Sequence, residues 1–342
     1  MPRPFIYLVK LLSSQLLSSA LELVELRSPR IIAIVGPTAT GKSDLAISLA
    51  KALKERGVSK GDATQKVLPQ IINADSYARY RKMDIGTAKV DLQTRLDLER
   101  QWGVKHYQID VLDPSETSTA QSFAECVKIE IDDISQNANS TLGVPILCGG
   151  SGLYVRSVLD GFEFQKQDVA LRKSLESRLE CEGVHALYMA LREKSPETAA
   201  HISPQNARRV IRALESLELQ GTHIATLPQY TYAYPSTLQI GLETTREELD
   251  RRIDIRTSKM RELGLVSEVS ALYSSQMLGE TAIKAIGYAE VVSFLNSGTH
   301  PGNGRKLDLD ATFELIATHT KRLVRRQLSW FKRDPRIHWL KA

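Results

Sequence analysis

Five consecutive apolar residues, Ile31 to Val35, give way to a loop rich in Gly, Pro and Thr, after which apolar side chains recur at Leu45, Ala46, Leu49, Ala50 and Leu53. The first run is short and continuous and predicts a fully buried strand; the second has the three-and-four spacing of an amphipathic helix. Two more apolar runs, Ile71 to Ala74 and Val144 to Cys148, end at Asp75 and at Gly149-Gly150-Ser151-Gly152. Strands interleaved with helices predict an α/β fold built on a parallel sheet.

The pattern changes from residue 156 to 226, where segments rich in Leu, Glu and Arg, such as Leu171 to Leu179 and Ala207 to Leu219, read as helices and no strand is evident. This stretch predicts an α-helical insertion. Leu238 to Gly241 predicts a return to the sheet, and Arg246 to Phe331 again reads as helices. The expected organisation is a core in two parts, 31–155 and 227–342, around the insertion 156–226, with basic helices near the C-terminus. Residues 1–30 form an extension, frayed or helical and expected to be flexible. Its Ser/Leu-rich stretch carries Arg3 and Lys10, but Glu22 and Glu25 break the pattern of a targeting segment. Asn296 to Arg305 is a polar connector, and there is no internal repeat.

Composition adds limits. Hydrophobic residues make up 42% and charged residues 25% of 342 positions, the balance of a soluble globular chain, and no apolar run is long enough to span a bilayer. A soluble, cytoplasmic, monomeric protein is expected. Three widely spaced cysteines, Cys126, Cys148 and Cys181, lack metal-ligand spacing and predict a reducing compartment and no zinc. The net charge of +5 suits a polyanionic partner.

The chemistry starts in the first loop. Gly36-Pro37-Thr38-Ala39-Thr40-Gly41-Lys42-Ser43 fulfils the P-loop pattern between a predicted strand and a predicted helix. Such a loop turns successive backbone N–H groups onto phosphate oxygens, Lys42 adds a fixed positive charge, and Ser43 can ligate Mg²⁺ at the positive end of the helix. The core is therefore expected to be P-loop NTPase-like. No Asn-Lys-x-Asp string follows, which argues against a GTPase switch, and no Asp-Glu pair ends an apolar strand, which argues against a motor ATPase. A small-molecule kinase and a non-catalytic RNA-binding module stay open on this evidence. Asp75 and Ser76 close the second strand, on the edge where an open α/β sheet binds its ligands. Position alone allows Asp75 to be a helix N-cap, a Mg²⁺ ligand or a general base.

The string Asn73-Ala74-Asp75-Ser76, with Tyr80-Arg81 and Met83-Asp84-Ile85-Gly86-Thr87-Ala88-Lys89, closely resembles the tRNA dimethylallyltransferases. The resemblance continues through His106, Ile109-Asp110, Asp113-Pro114, Gly149 to Tyr154, Arg212-Ala213-Leu214-Glu215, Arg246, Ile286-Gly287-Tyr288, Arg326-Gln327 and Trp330, in order over residues 31–340. Lys82 stands where that family usually has Gly, Ser151 where it has Thr, and Lys321 and Val324 where it has Arg and Ala. Ser151 keeps a hydroxyl and Lys321 a charge, whereas Lys82 bears on the backbone conformation of its loop.

What the resemblance implies is transfer of a dimethylallyl group from its diphosphate to N6 of the adenosine immediately 3′ of the anticodon. It implies Asp75 as general base, with Thr40 and Arg246 serving the diphosphate, residues 36–43 as the cradle and Mg²⁺ on Ser43. It also implies contact of Asp75, Ser76, Arg208, Arg209, Arg325, Arg326 and Gln327 with the anticodon stem-loop. On spacing alone, Arg246 would pair with Asp250 four residues on. Lys321, Arg322, Arg325, Arg326, Lys332, Arg333 and Arg336, near Trp330, Phe331 and Trp339, offer an RNA surface or else a solvated helix face. His106 and Tyr288 read as structural.

Overall fold

The computed structural model describes residues 13–60, 63–136, 141–223, 226–299, 304 and 306–342. Residues 1–12 of the N-terminal extension and most of the connector's second half lie outside them. The first element, α1 (Ser14–Arg27), starts where the Ser13 hydroxyl accepts the N–H of Leu16. Its Leu16, Ala20, Leu21 and Val24 are buried, at helical spacing, against α2 (Lys42–Arg56) and the sheet. The expectation of flexibility is thus corrected over this stretch, because one face of the helix is core.

The chain then lays down β1 (Ile31–Val35), a short hairpin of β2 (Val58–Lys60) and β3 (Ala63–Gln65), β4 (Val67–Asn73), β5 (His106–Tyr107), β6 (Leu142–Gly149), β7 (Thr237–Glu243) and β8 (Ile337–Lys341). Six of these form one sheet in the order β5-β4-β6-β1-β7-β8, and every pairing in it is parallel. One face carries α1 and α2; the other is covered by α4 (Ala120–Gln136) and α5 (Gly152–Leu159), through Phe123, Val127, Val155 and Val158. Burial on both faces accounts for the continuous apolar runs of β1 and β6. The parallel α/β core predicted from those runs is the one observed.

Two edge strands escaped the sequence pattern. With two residues, β5 is too short to show a period. In β8, within the basic C-terminal stretch, only Ile337 is buried, so its Trp339 completes a sheet edge.

Two compact units emerge: Met1–Asp160 with Tyr232–Ala342, and Gly161–Thr231. Their boundaries fall five residues beyond each expected one. The second unit contains α6 (Val169–Lys194), broken at Gly183 (φ 80°), α7 (Pro196–Ala200) and α8 (Ala207–Gln220) around Leu175, Leu187, Leu191, Val210 and Leu214. Its buried Glu215 is met by Arg172 and, at 2.7 Å, by Arg212. In the first unit α3 (Leu92–Trp102), α9 (Arg246–Leu263), α10 (Leu265–Ser274), α11 (Tyr288–Asn296) and α12 (Leu309–Phe331) complete the helical complement.

Candidate active site

All strands of the sheet point the same way, so β1, β4 and β6 deliver the loops that follow them to one edge. After β1 the P-loop turns sharply. Gly36 has φ 135°, and a Cβ there would lie 2.6 Å from the carbonyl oxygen of Leu242, so only glycine fits. Ala39 takes φ 67°, and Gly41 at φ 87° opens α2. The Thr40 hydroxyl is fully buried and donates to the carbonyl of Pro37 at 2.8 Å, fixing the loop from within.

A cavity of about 200 Å³ opens on this edge. The P-loop lines it with Thr38, Ala39, Gly41, Lys42 and Ser43; β4 and its turn supply Asn73 and Asp75, and Gly149 and Gly150 follow β6. Lys42 Nζ donates to the Pro37 carbonyl at 2.6 Å. Loss of water inside the site pushes its ammonium down to about 8, partly opposed by Cys148 and Asp75 and reinforced by Arg256. Desolvation likewise raises the adjacent Asp44 carboxyl to about 6.

Asp75 is held from two sides. Its Oδ1 accepts the N–H groups of Tyr77 (2.9 Å) and Ala78 (3.4 Å), while its own N–H donates to Asn73 Oδ1 at 3.2 Å. Asn73 is anchored in turn, through Nδ2, on the carbonyls of Asp75 and Gln108. Capping the next turn and facing the cavity are therefore compatible for this carboxylate.

Two arginines of α9 complete the polar wall. Arg256 donates to Thr38 Oγ1 (2.8 Å) and to the Thr87 carbonyl (3.2 Å); Arg252 donates to the Ala39 carbonyl (3.3 Å) and pairs with Glu248 (2.6 Å). From α12, Gln327 accepts the Thr38 N–H and donates to the Gly150 carbonyl, both at 2.9 Å. The loop of residues 83–89 is tied down by Glu268, which accepts the N–H groups of Asp84, Ile85 and Gly86 at 2.9–3.3 Å and the Tyr288 hydroxyl at 2.5 Å. A Cβ on Gly86 would sit 2.3 Å from the Tyr288 ring, so glycine and tyrosine are fitted to each other.

A family model described as IPP transferase matches residues 78–334. The chain belongs to this family. Over 314 residues it is 45% identical to a tRNA dimethylallyltransferase of Bifidobacterium adolescentis, covering 92% of this chain and 84% of that one. A tRNA dimethylallyltransferase of Thermobifida fusca is 42% identical over 312 residues, covering 91% and 89%. The fold is similar to the crystal structure of a tRNA isopentenylpyrophosphate transferase from Bacillus halodurans, with TM-score 0.61, 33% identity and coverage of 92% and 90%.

In this IPP transferase fold the expected site residues divide. Thr38, Ala39, Gly41, Lys42, Ser43, Asp75 and Gln327 line one cavity, whereas the side chain of Thr40 is turned into the loop. Ser76 stands beside it, its N–H donating to Ser151 Oγ at 3.3 Å. Arg246 is not among the cavity residues: its side chain is 70% exposed and lies 4.0 Å from Asp250, the alternative its spacing had left open. Arg252 and Arg256 take the wall instead. Their four-residue spacing puts them on one helix face, about 240° of rotation separates Arg246 from Arg252, and that face was legible in the sequence.

Arg208 and Arg209 are exposed on α8 of the second unit. Of the seven C-terminal cations, Arg336 is committed to Asp160 and Asp334, Lys321 to Asp254 and Lys332 to Glu243. Arg322, Arg325, Arg326 and Arg333 are exposed and have no ion-pair partner among the described residues.

Proposed function

We propose that the chain transfers the dimethylallyl group of dimethylallyl diphosphate to N6 of the adenosine immediately 3′ of a tRNA anticodon and releases diphosphate. The observation that carries this reading is the meeting of Lys42 of the P-loop, Arg252 and Arg256 of α9 and the Asp75 carboxylate in one cavity, within a chain of the IPP transferase family. No described helix is long and apolar enough to cross a membrane.

The donor's diphosphate lies along the P-loop, where Lys42, Arg252 and Arg256 offset the charge that grows as the allylic C–O bond breaks. Thr40 acts as a positioning residue, holding the loop through Pro37. An exocyclic adenine amine is a weak nucleophile, so Asp75 takes its proton as the C–N bond forms. The pair of electrons in the C–O bond leaves with diphosphate. Among the described residues no three His, Cys, Asp or Glu side chains cluster as metal ligands, and the exposed Ser43 hydroxyl is a hard oxygen donor. These residues fit Mg²⁺ that draws its other ligands from phosphate and water, and such an ion would add charge to stabilise the leaving group.

Reaching an amine that is stacked in an anticodon loop requires the base to be splayed out. The exposed Arg325 and Arg326, next to Gln327, offer a backbone contact for the RNA, with Arg208 and Arg209 as further contacts on the insertion. Incubation with labelled dimethylallyl diphosphate and unmodified tRNA tests the proposal. Label is expected on the adenosine 3′ of the anticodon. ATP-dependent phosphorylation of a small metabolite, with no label entering tRNA, would overturn it in favour of a kinase.

A further inference from the structure

Asp75 sits in a short segment, residues 73–79, and a single residue outside the cavity lining grips both ends of it. At the first end, Asn73 Nδ2 donates to the main-chain carbonyl of Gln108 at 2.9 Å. At the second, Arg79 Nε donates to the side chain of the same residue, at Oε1, at 3.1 Å. Between these anchors Asn73 Oδ1 takes the Asp75 N–H, and Asp75 Oδ1 takes the N–H groups of Tyr77 and Ala78. Main-chain bonds from Asp110 to Ala78 and from Val111 and Leu112 to Arg79, at 2.8–3.3 Å, run alongside the second anchor. The direction of the carboxylate is thus set by two neighbours that both lean on Gln108.

The Gln108 side chain is itself fixed. The residue is 4% exposed, and its amide stands between Arg79, which meets Oε1, and Glu130 of α4, whose Oε1 accepts from Nε2 at 2.7 Å. A guanidinium offers no acceptor, so only one of the two amide orientations is allowed. Arg79 has as little freedom: it is 2% exposed, lies over the Phe123 ring at 5.4 Å and donates through Nη1 to Ser118 Oγ at 2.7 Å. Gln108 also adopts φ 58°, a left-handed conformation that a side chain disfavours and that surrounding contacts must hold. Those contacts are the ones that grip the Asp75 segment.

Resting on the reading of Asp75 as base, we infer that Gln108 is a positioning residue for the transfer step: by holding Asn73 and Arg79 at once, it aims the Asp75 carboxylate at the amine proton. It lies outside the cavity lining and acts only through its neighbours, whereas Asn73 and Asp75 line the cavity. A base takes a proton efficiently only within hydrogen-bond reach, and a misplacement of about 1 Å costs on the order of 100-fold in rate. Replacing the side chain leaves the carbonyl bond to Asn73 available, but it strands Arg79 in the core and removes what holds the main chain of Gln108 in its left-handed turn.

The test is single-turnover dimethylallyl transfer to one tRNA, with donor and tRNA affinities measured alongside, by Gln108→Leu placed in the unaltered protein and in Asp75→Asn. In the unaltered protein the substitution is expected to slow the chemical step by about ten- to 100-fold and to change either affinity by less than about three-fold. In Asp75→Asn, where no base is left to aim, it is expected to change the rate by less than about two-fold. A second arm does not depend on the leucine variant folding. Gln108→Glu alone sets two carboxylates against each other and is expected to be slow; adding Glu130→Gln returns a donor beside the new acceptor, keeps the bond from Arg79 and is expected to recover most of the rate. An unslowed Gln108→Leu protein, an equal slowing in Asp75→Asn, or a folded exchange variant that stays as slow as Gln108→Glu would overturn the inference alone. Full speed in Asp75→Asn by itself would overturn the base reading and this inference with it, and absence of transfer by the unaltered protein would overturn the transferase reading.

Discussion

At the scale of single residues, the cavity's charges make its behaviour measurable. Lys42 has a pKa of about 8 in the folded protein against 10.5 for a free side chain. A group lowered in this way binds fewer protons folded than unfolded between those values, so its charging costs the fold stability as pH falls through that window, fully so below about 8. A diphosphate prefers the charged form. Above pH 8 the donor must therefore bring a proton with it, and its affinity should fall by up to ten-fold per pH unit; a flat Kd from pH 7.5 to 9.5 would remove Lys42 from the contact. For Asp75→Asn, which keeps the shape but not the base, single-turnover transfer should slow by roughly 10²- to 10⁴-fold with tRNA affinity little changed. Rescue of that rate by excess Mg²⁺ would mark the carboxylate as a metal ligand instead.

The departures from the family's usual residues also have a cost that can be read at this scale. Lys82 adopts φ 62°, a left-handed conformation that a side chain disfavours and glycine takes freely. Lys82→Gly is thus expected to stabilise the protein by about 1 kcal/mol in chemical denaturation, with activity retained; destabilisation would mean that the lysine's contact with Met277, at 3.9 Å, outweighs the strain. The place of the P-loop at the cavity was legible because residue types at fixed spacing mark it, and that of Asp75 because it closes a buried strand on the ligand-binding edge, whereas the role given to Asp75 came from the family resemblance alone. The cavity's remaining wall was not, since Ala46 and Ile71 look like ordinary core residues until the fold leaves a gap beside them.

At the scale of elements, periodicity foretold what packing would use and missed what edge position decides. The strands β1, β4, β6 and β7 are buried runs and were readable. By contrast β8 owes its conformation to pairing with β7, a partner about a hundred residues away in the chain, and its composition resembles a basic surface. The helix α1 shows the reverse error: a polar-looking Ser/Leu segment whose Leu16, Leu21 and Val24 are core. Leu21→Ala should cost about 2–4 kcal/mol, visible as a lower midpoint of denaturation, because it empties a packed site. A change under about 0.5 kcal/mol, the size of an ordinary surface substitution, would mean the helix does not stay docked in solution.

At the scale of the whole molecule, the net charge of +5 says less than where unpaired cations stand. Arg325 and Arg326 are exposed beside Gln327, which itself touches the P-loop and Gly150. Replacing both arginines with alanine should reduce the slope of log K against log salt for tRNA by about 0.7–0.9 for each phosphate that is no longer neutralised. An unchanged slope in a folded variant would make this a solvated face.

The all-parallel sheet has one more consequence. Since the strand ends that carry Lys42, Asp75 and Gly150 share a single rim, the two rims are under different obligations. Turns leaving the strands must preserve particular atoms at particular separations, whereas turns entering them, such as the hairpin of β2 and β3 that leads into β4, need only return the chain to its starting point. Lengthening that hairpin is therefore a change in contour and not in chemistry, and the molecule has room to vary in size at one pole while its working pole stays fixed.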